Sequence, residues 1–411
     1  MKFLHAADIH LDSPLTGLSS RGTVPESVTR HCTRRAFANL IDLAIAQDVA
    51  FVIIAGDLYD ADWRDYSTGL FFAGEMRRLN RPCFLIRGNH DARSVITKSL
   101  VPPPNVQEFS SRKTETFLLD ELGVALHGRS FPDRAVPEDL SATYPAPVSG
   151  RLNIGILHTS AEDPGEHETY APCHVSGLIA KGYDYWALGH IHQRRALHPG
   201  NPWIVFPGNI QGRHARETGD KGCTLVDVQD GRITDVQHRT TDVLRWASVS
   251  VALDGAETMT EIAARLRFEL SAAHDQAGGL PLIVRVTLSG ATERHAELAA
   301  DPLAIDAECR NAAAAVSGSL YIERVRLESR MPLRPLDQDG SAADLEQAFL
   351  QALDDPDVQQ RLLVEFSALS AQIPSGSGRD MSPPPRDIND LRALAPEAWH
   401  IVARALSGEP A

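Results

Sequence analysis

Five short clusters in the chain pair metal-ligating residue types with spacings that let them act together. They are Asp8-Ile9-His10, Gly56-Asp57, Gly88-Asn89-His90-Asp91, His158 and Gly189-His190-Ile191-His192. Aspartate and asparagine offer oxygen, histidine offers imidazole nitrogen, and no thiolate takes part. Such a donor set suits Mn²⁺ best and admits Fe or Zn. The chemistry that calls for two such ions is phosphodiester hydrolysis. A water must be activated, the non-bridging oxygens neutralised and the leaving alkoxide given a proton. Two cations about 3.5–4 Å apart supply the first two together. Asp57 is the natural bridge between them. Asp8, His10 and His192 would complete one ion's shell, and Asn89, His158 and His190 the other's. His90 sits beside a ligand without needing to be one, which suits a general acid or a stabiliser of transition-state charge. Asp60, three residues after Asp57, could hold that imidazole in one tautomer.

Each cluster alone also reads as a turn, because Asn and Asp bond back to their own backbone. Their positions argue otherwise, since each follows a strand-like run. Residues 2–7 precede Asp8, and in extended chain residues i and i+2 share a side, which would let Asp8 and His10 grip one ion. Phe51-Val52-Ile53-Ile54-Ala55 and Cys83-Phe84-Leu85-Ile86 read as strands covered on both faces. Residues 152–157, 183–188 and 203–206 repeat the pattern, and strands over 224–228 and 233–238 close the unit. Helices are predicted over 26–47 and 66–79. Open α/β sheets bind ligands outside the carboxyl ends of their strands, which is where these clusters fall.

Composition sets the bounds. The 411 residues are 43% hydrophobic and 23% charged, room for two or three domains of an ordinary soluble protein. No apolar run approaches the ~20 residues of a membrane helix, and the first residues are too soon charged for a signal peptide. Five scattered cysteines without a Cys-x-x-Cys pair fit reduced thiols in a cytoplasm. The net charge of −14 is uneven: residues 337–411 hold 13 Asp and Glu against 5 Arg, so −6 is left for the rest. Bound divalent ions would make the active face more positive than that count. No Gly-x4-Gly-Lys-Ser/Thr loop occurs, so the chain should not itself hydrolyse ATP. Arg213 and Arg216, after the Pro207-Gly208-Asn209 turn, are candidates for phosphate contacts.

In their order, these motifs resemble the calcineurin-like metallophosphoesterase superfamily over roughly residues 1–240. The flanking residues resemble its SbcD-type DNA repair exonuclease branch and its YhaO-like members, notably Asp8-Ile9-His10-Leu11-Asp12-Ser13-Pro14-Leu15 and Phe206-Pro207-Gly208-Asn209-Ile210-Gln211-Gly212-Arg213. The resemblance implies an α/β fold, a β sandwich flanked by helices, with a dinuclear Mn²⁺ site and nuclease activity. Its ligand roles fall on the seven positions above and its catalytic histidine on His90. One departure is that Ala61-Asp62 follows Asp60 where the Ser/Thr phosphatases of the family carry Arg-Gly. That disfavours a phosphoprotein phosphatase. A phosphodiesterase or phosphatase acting on a small nucleotide or phosphoprotein is the alternative within the same chemistry. A DNA-end scaffold with a degenerate site is the alternative outside it.

Beyond Asp242 the grammar changes. Alternating and helical stretches make a β-α-β-α-β unit over 245–330 that resembles the small α+β capping domain of SbcD-type nucleases. Arg265, Arg267, Arg324 and Arg326 could face DNA from it, but arginines so scattered read first as a solvated face. A linker follows, and residues 341–411 read as helical, broken by a Pro/Gly/Ser-rich segment at 374–385. Val358, Leu362, Phe366, Leu369 and Ile373 form one apolar helical stripe, and Leu345, Phe349 and Leu353 a shorter one. The resemblance implies that these helices dock on the coiled-coil base of an SMC-like ATPase, with DNA as substrate. A homodimer is a further expectation for the assembly.

Overall fold

The computed structural model describes residues 1–15, 18, 24–60, 65–93, 101–161, 170–256, 258–332, 341–372, 385 and 387–406. Strands β1 (Lys2–Ala6), β2 (Phe51–Ala55), β3 (Cys83–Ile86) and β4 (Val106–Glu108) run parallel, side by side. A second sheet follows from β5 (Glu115–Leu119), β6 (Val124–Gly128), β7 (Leu152–His158), β8 (Tyr185–Gly189), β9 (Arg195–His198) and β10 (Trp203–Phe206). Its order is β5-β6-β7-β8-β10-β9, with the inner four parallel and the edges antiparallel. Strands β11 (Gly222–Gln229) and β12 (Arg232–Thr240) then complete the first sheet, in the order β12-β11-β1-β2-β3-β4.

Continuous apolar runs make these strands because both of their faces are covered. Between the sheets, Phe3, Phe51, Ile53 and Phe84 meet Leu126, Ile154, Ile156 and Tyr185. The Phe3 and Phe51 rings stack 5.1 Å apart. The short helix α1 (Glu26–Thr29) buries no residue, while the first sheet's outer face packs on helices α2 (Cys32–Ala46) and α3 (Tyr66–Leu79), chiefly through Phe37, Leu40, Phe72 and Met76. The second sheet's outer face meets α4 (Val175–Ala180) and Tyr144 through Trp186 and Leu188. Each such side chain contributes roughly 1.5–3 kcal/mol when fully buried. That shared core is what holds the carboxyl ends of two parallel strand sets at a common rim.

Two expectations need correcting here. The helix expected over 26–47 is broken at Arg30–His31, where His31 takes a left-handed backbone (φ +52°) that an α-helix cannot continue through. Strands β4, β5, β6 and β9 were absent from the sequence reading. β4 and β9 span only three and four residues, β5 alternates half-buried with exposed, and the apolar start of β6 gives way to His127 and Gly128.

The chain forms two compact units: residues 1–249 with 267–286 and 309–325, and residues 250–266 with 287–308 and 326–411. A third sheet, β13 (Arg245–Ala252), β14 (Leu282–Ala291) and β15 (Leu320–Arg330), supplies strands to both. Helices α5 (Met259–Gln276), α6 (His295–Ala300) and α7 (Pro302–Val316) lie between its strands in sequence. In the second unit, α8 (Ser341–Asp354), α9 (Pro356–Gln372) and α10 (Ile388–Leu406) pack on one another. Phe349 meets Trp399 at 5.4 Å between ring centres, and Arg392 reaches Asp354 at 2.7 Å. Of the expected stripe, Val358, Leu362 and Phe366 are half-buried, while Ile373 and residues 374–384 lie outside the described residues.

Candidate metal centre

The rim brings the sequence clusters together. After β1 the chain turns through Asp8 (φ +51°) and His10 (φ +44°), both left-handed. Extended alternation is therefore not what aims these two side chains, contrary to the expectation from their spacing. The segment instead lies along the loop after β2: Asp8 N donates to Gly56 O at 3.0 Å, His10 N to Asp57 O at 3.0 Å and Leu11 N to Leu58 O at 2.9 Å. Asp tolerates this backbone better than most residues. Glycine is required at two points. Gly56 has φ +96°, and a Cβ there would strike the His158 ring; a Cβ on Gly88 would strike the Asp57 carboxylate.

Asp91 braces the rim. Its carboxylate accepts from Gly88 N at 3.1 Å, Leu58 N at 3.1 Å and Tyr59 N at 2.9 Å, tying the loops after β2 and β3 together. Burial and the nearby Asp57 charge push it up to about 7.

Three groupings of metal-capable side chains result: Asp8 with His10 and His192; Asp8 with Asp57 and His158; and His10 with Asp60 and His90. Asp57 lies between the halves, with Oδ2 3.9 Å from His10 Nε2 and 3.5 Å from His158 Nε2. Asn89 Oδ1 is 3.0 Å from His158 Nε2. His190 falls in none of the groupings among the described residues. Its backbone N–H holds Asp8 at 3.0 Å, and its ring stands 5.2 Å from that of His158.

Tautomers can be read from the partners. His158 Nδ1 donates to Ala55 O at 2.9 Å, and His192 Nδ1 to Glu217 Oε1 at 2.6 Å. Each therefore turns a lone pair on Nε2 inward. The inward atoms face other acceptors: His192 Nε2 lies 3.3 Å from His10 Nε2, and His158 Nε2 meets the Asn89 oxygen. Burial holds His10 well below the ordinary imidazole value, pushes His158 down to about 4 and lowers His192. Asp8 is raised by burial and then by the Asp57 charge, and burial raises Asp57 as well. Converging lone pairs beside two buried carboxylates are costly alone and are relieved by cations. The residues thus fit divalent metal ions.

His90 behaves differently. Its Nδ1 contacts Asp60 Oδ1 at 2.6 Å. Burial would lower it, but the Asp60 hydrogen bond and the Asp57 and Asp60 charges outweigh that, and its pKa is raised. Burial pulls the Asp60 carboxyl upward, yet contacts with His10 and His90 hold it well below the carboxylate range.

Residues 1–194 match the calcineurin-like phosphoesterase family, and residues 246–330 the middle domain of metallophosphoesterase YhaO. The "uncharacterized metallophosphoesterase YhaO" of Bacillus subtilis (strain 168) is 36% identical over 300 residues, 71% of this chain and 72% of that protein. The chain belongs to the calcineurin-like metallophosphoesterases. At lower identity, the "DNA double-strand break repair protein Mre11" of Sulfurisphaera tokodaii matches at 26% over 61% of this chain and 65% of that protein. Its namesake from Methanopyrus kandleri matches at 26% over 65% of this chain and 62% of that protein. The metallophosphoesterase thus spans under two thirds of both Mre11 proteins' length.

The sequence reading missed a carboxylate of this metallophosphoesterase. Glu217 is buried, takes His192 on Oε1 and Asn209 Nδ2 on Oε2 at 2.9 Å, and has His214 Nε2 3.4 Å away. Burial would raise it, but the His192 hydrogen bond holds it well below the glutamate range. The available signal was chemical: a ligating imidazole needs an acceptor at its other nitrogen. The segment after Pro207-Gly208-Asn209 was singled out only as far as Arg216. Arg213, a candidate from sequence for phosphate contact, donates through Nη1 to Ser13 Oγ at 3.0 Å. His5 is buried between Tyr185 and Leu188 O, away from these groupings.

Proposed function

We propose that this metallophosphoesterase is a metal-dependent nuclease that hydrolyses DNA phosphodiester bonds. The observation that carries the reading is the pairing of a raised, Asp60-held His90 with lowered imidazoles grouped around two buried carboxylates. Asp8, His10, Asp57 and His192 would hold one divalent ion, and Asp57, Asn89, His158 and His190 a second. Mn²⁺ is the metal we favour, for its mixed oxygen and imidazole donors. Bound there, the ions supply charge neutralisation and an activated water. The chain's own part is proton control. Asp60 accepts a hydrogen bond from His90 Nδ1–H, so a protonated His90 would present Nε2–H to the leaving oxygen. The Asp60 hydrogen bond and the Asp57 and Asp60 charges raise the pKa of His90, which favours the protonated ring.

DNA as substrate is supported by the Mre11 relatives named for double-strand break repair. Residues 1–241 would carry the nuclease, and 245–330 would shape the DNA path. Helices within 341–411 would dock on an SMC-like ATPase, supplying the nucleotide site this chain lacks. Five free, buried cysteines are in keeping with a reducing cytoplasm, and no described helix is long and apolar enough to cross a membrane. A homodimer is compatible with this reading. The alternative is hydrolysis of small phosphodiesters only. Purified protein with Mn²⁺ should cleave labelled single- and double-stranded DNA as well as bis(p-nitrophenyl) phosphate. Cleavage of the small ester alone would favour the alternative.

A further inference from the structure

The loop after β10 reaches the site at two points, His192 through Glu217 and Asp60 through Arg213. Its side chains are anchored below: Gln211 Nε2 donates to Leu244 O at 2.9 Å, and Gln211 Oε1 accepts from Val243 N at 2.9 Å. From that base Arg213 contacts two groups with two different parts. Its backbone N–H donates to Glu217 Oε2 at 2.6 Å, and Glu217 in turn holds His192. Its guanidinium Nη1 donates to Ser13 Oγ at 3.0 Å and stands 3.5 Å from Asp60 Oδ2. Asp60's other oxygen is the one on His90 Nδ1. The side chain is 14% exposed, so the charge acts where water screens it little.

We propose that Arg213 is a positioning residue for phosphoester hydrolysis, acting through Asp60 on His90. A carboxylate held on one oxygen only can rotate about its terminal bond. Held on both sides, it keeps Oδ1 aimed at the imidazole. A guanidinium–carboxylate contact is suited to this because it is charge-assisted and directional. Ser13 fixes the guanidinium in turn and itself hydrogen-bonds Asp60, so Ser13, Arg213 and Asp60 form one closed three-part brace. The inference rests on the reading of His90 as the group that acts on substrate. Arg213 itself touches no reacting atom in it.

The test uses the full chain with Mn²⁺ and bis(p-nitrophenyl) phosphate. Arg213→Met keeps most of the side-chain volume and removes the charge. Its kcat should fall about 10- to 100-fold, the usual cost of losing such a supporting partner, with KM and bound Mn²⁺ unchanged. Combined with Asp60→Asn, it should cost nothing further, because both changes break one chain of contacts. The ¹⁵N-histidine spectrum of the metal-free protein should lose the sharp low-field His90 Nδ1–H signal. Arg213→Lys should recover most of the rate and the signal, since one ammonium can still meet Ser13 and Asp60. It also serves if the methionine variant fails to fold. A raised KM with kcat kept would instead mean substrate contact. That result, multiplicative losses with Asp60→Asn, or release of Mn²⁺ would each overturn the inference. A wild-type rate for His90→Asn would overturn the reading beneath it. A wild-type rate for Arg213→Met beside an inactive His90→Asn would overturn the Arg213 inference alone.

Discussion

The strand-end rim and the carboxyl-terminal helices depart from ordinary burial in opposite senses. At the rim, polar groups are buried where no water can serve them: Asp8, His10, Asp57 and His158 are all 2% exposed or less. In the helices of 341–406, apolar groups face water, with Leu350 at 50% and Val364 at 63% exposed. A buried carboxylate costs several kcal/mol unless compensated, whereas a single exposed leucine costs little. The two regions therefore make unequal demands. The rim requires counter-charge to be stable as drawn, and the helices merely permit a partner. That asymmetry explains why the site's chemistry follows from its geometry and the docking role does not.

The sharpest way to break the comparison is Asp57→Ala. With the bridging carboxylate gone, Mn²⁺ stoichiometry and hydrolysis should be lost together, read by metal analysis and the ester assay. Retention of both ions would mean that Asp8 alone joins the halves. Glu217→Gln should be milder. It leaves His192 in place but weakens its support, so Mn²⁺ affinity should fall about 10- to 100-fold by calorimetry. An unchanged affinity would reduce Glu217 to a loop brace.

His5 is a control inside the same unit: a buried imidazole satisfied by hydrogen bonds to Tyr185 and Leu188 rather than by a cation. Burial pushes it down to about 3 from the ordinary 6.5. The fold therefore excludes a proton that the unfolded chain accepts, and stability contributed by neutral His5 is lost as pH falls from 6.5 toward 3. At pH 5 the loss is about 2 kcal/mol. His5→Gln, which cannot titrate, should show a flatter decline of melting temperature between pH 6.5 and 4.5 than the parent. Parallel declines would exclude His5 as the source.

Deleting residues 341–411 should change least. Cleavage of single strands and small esters should keep its rate, while co-purification with an SMC-like ATPase is lost. An unfolded truncation, or undiminished ATPase binding, would put these helices in the core.

Legibility in the sequence followed the same divide. The candidate ligands' strand-end positions were readable because apolar runs point at Asp57, Asn89 and His190, and α3 spans the residues expected for it. The geometry of Asp8 and His10 was not, since left-handed turns at both depend on the neighbouring Gly56–Leu58 loop, remote in sequence. Glu217 escaped because a lone carboxylate has no motif until its imidazole partner is in place. In the helices, an apolar stripe marked a helix but not its buried face. Gln359, not an apolar residue, is the buried position among the described side chains of α9, its Nε2 bound to Leu353 O at 2.7 Å.

The central claim is that metal holding and proton delivery reside in different residues of one rim. His90→Asn tests it most directly, by electron paramagnetic resonance of bound Mn²⁺ alongside the rate of DNA cleavage. Wild-type Mn²⁺ occupancy is expected, with cleavage reduced about 10²- to 10⁴-fold, the usual share of a general acid. Loss of an ion would make His90 a ligand within the His10–Asp60–His90 grouping. Either that or cleavage at the full rate would contradict the claim.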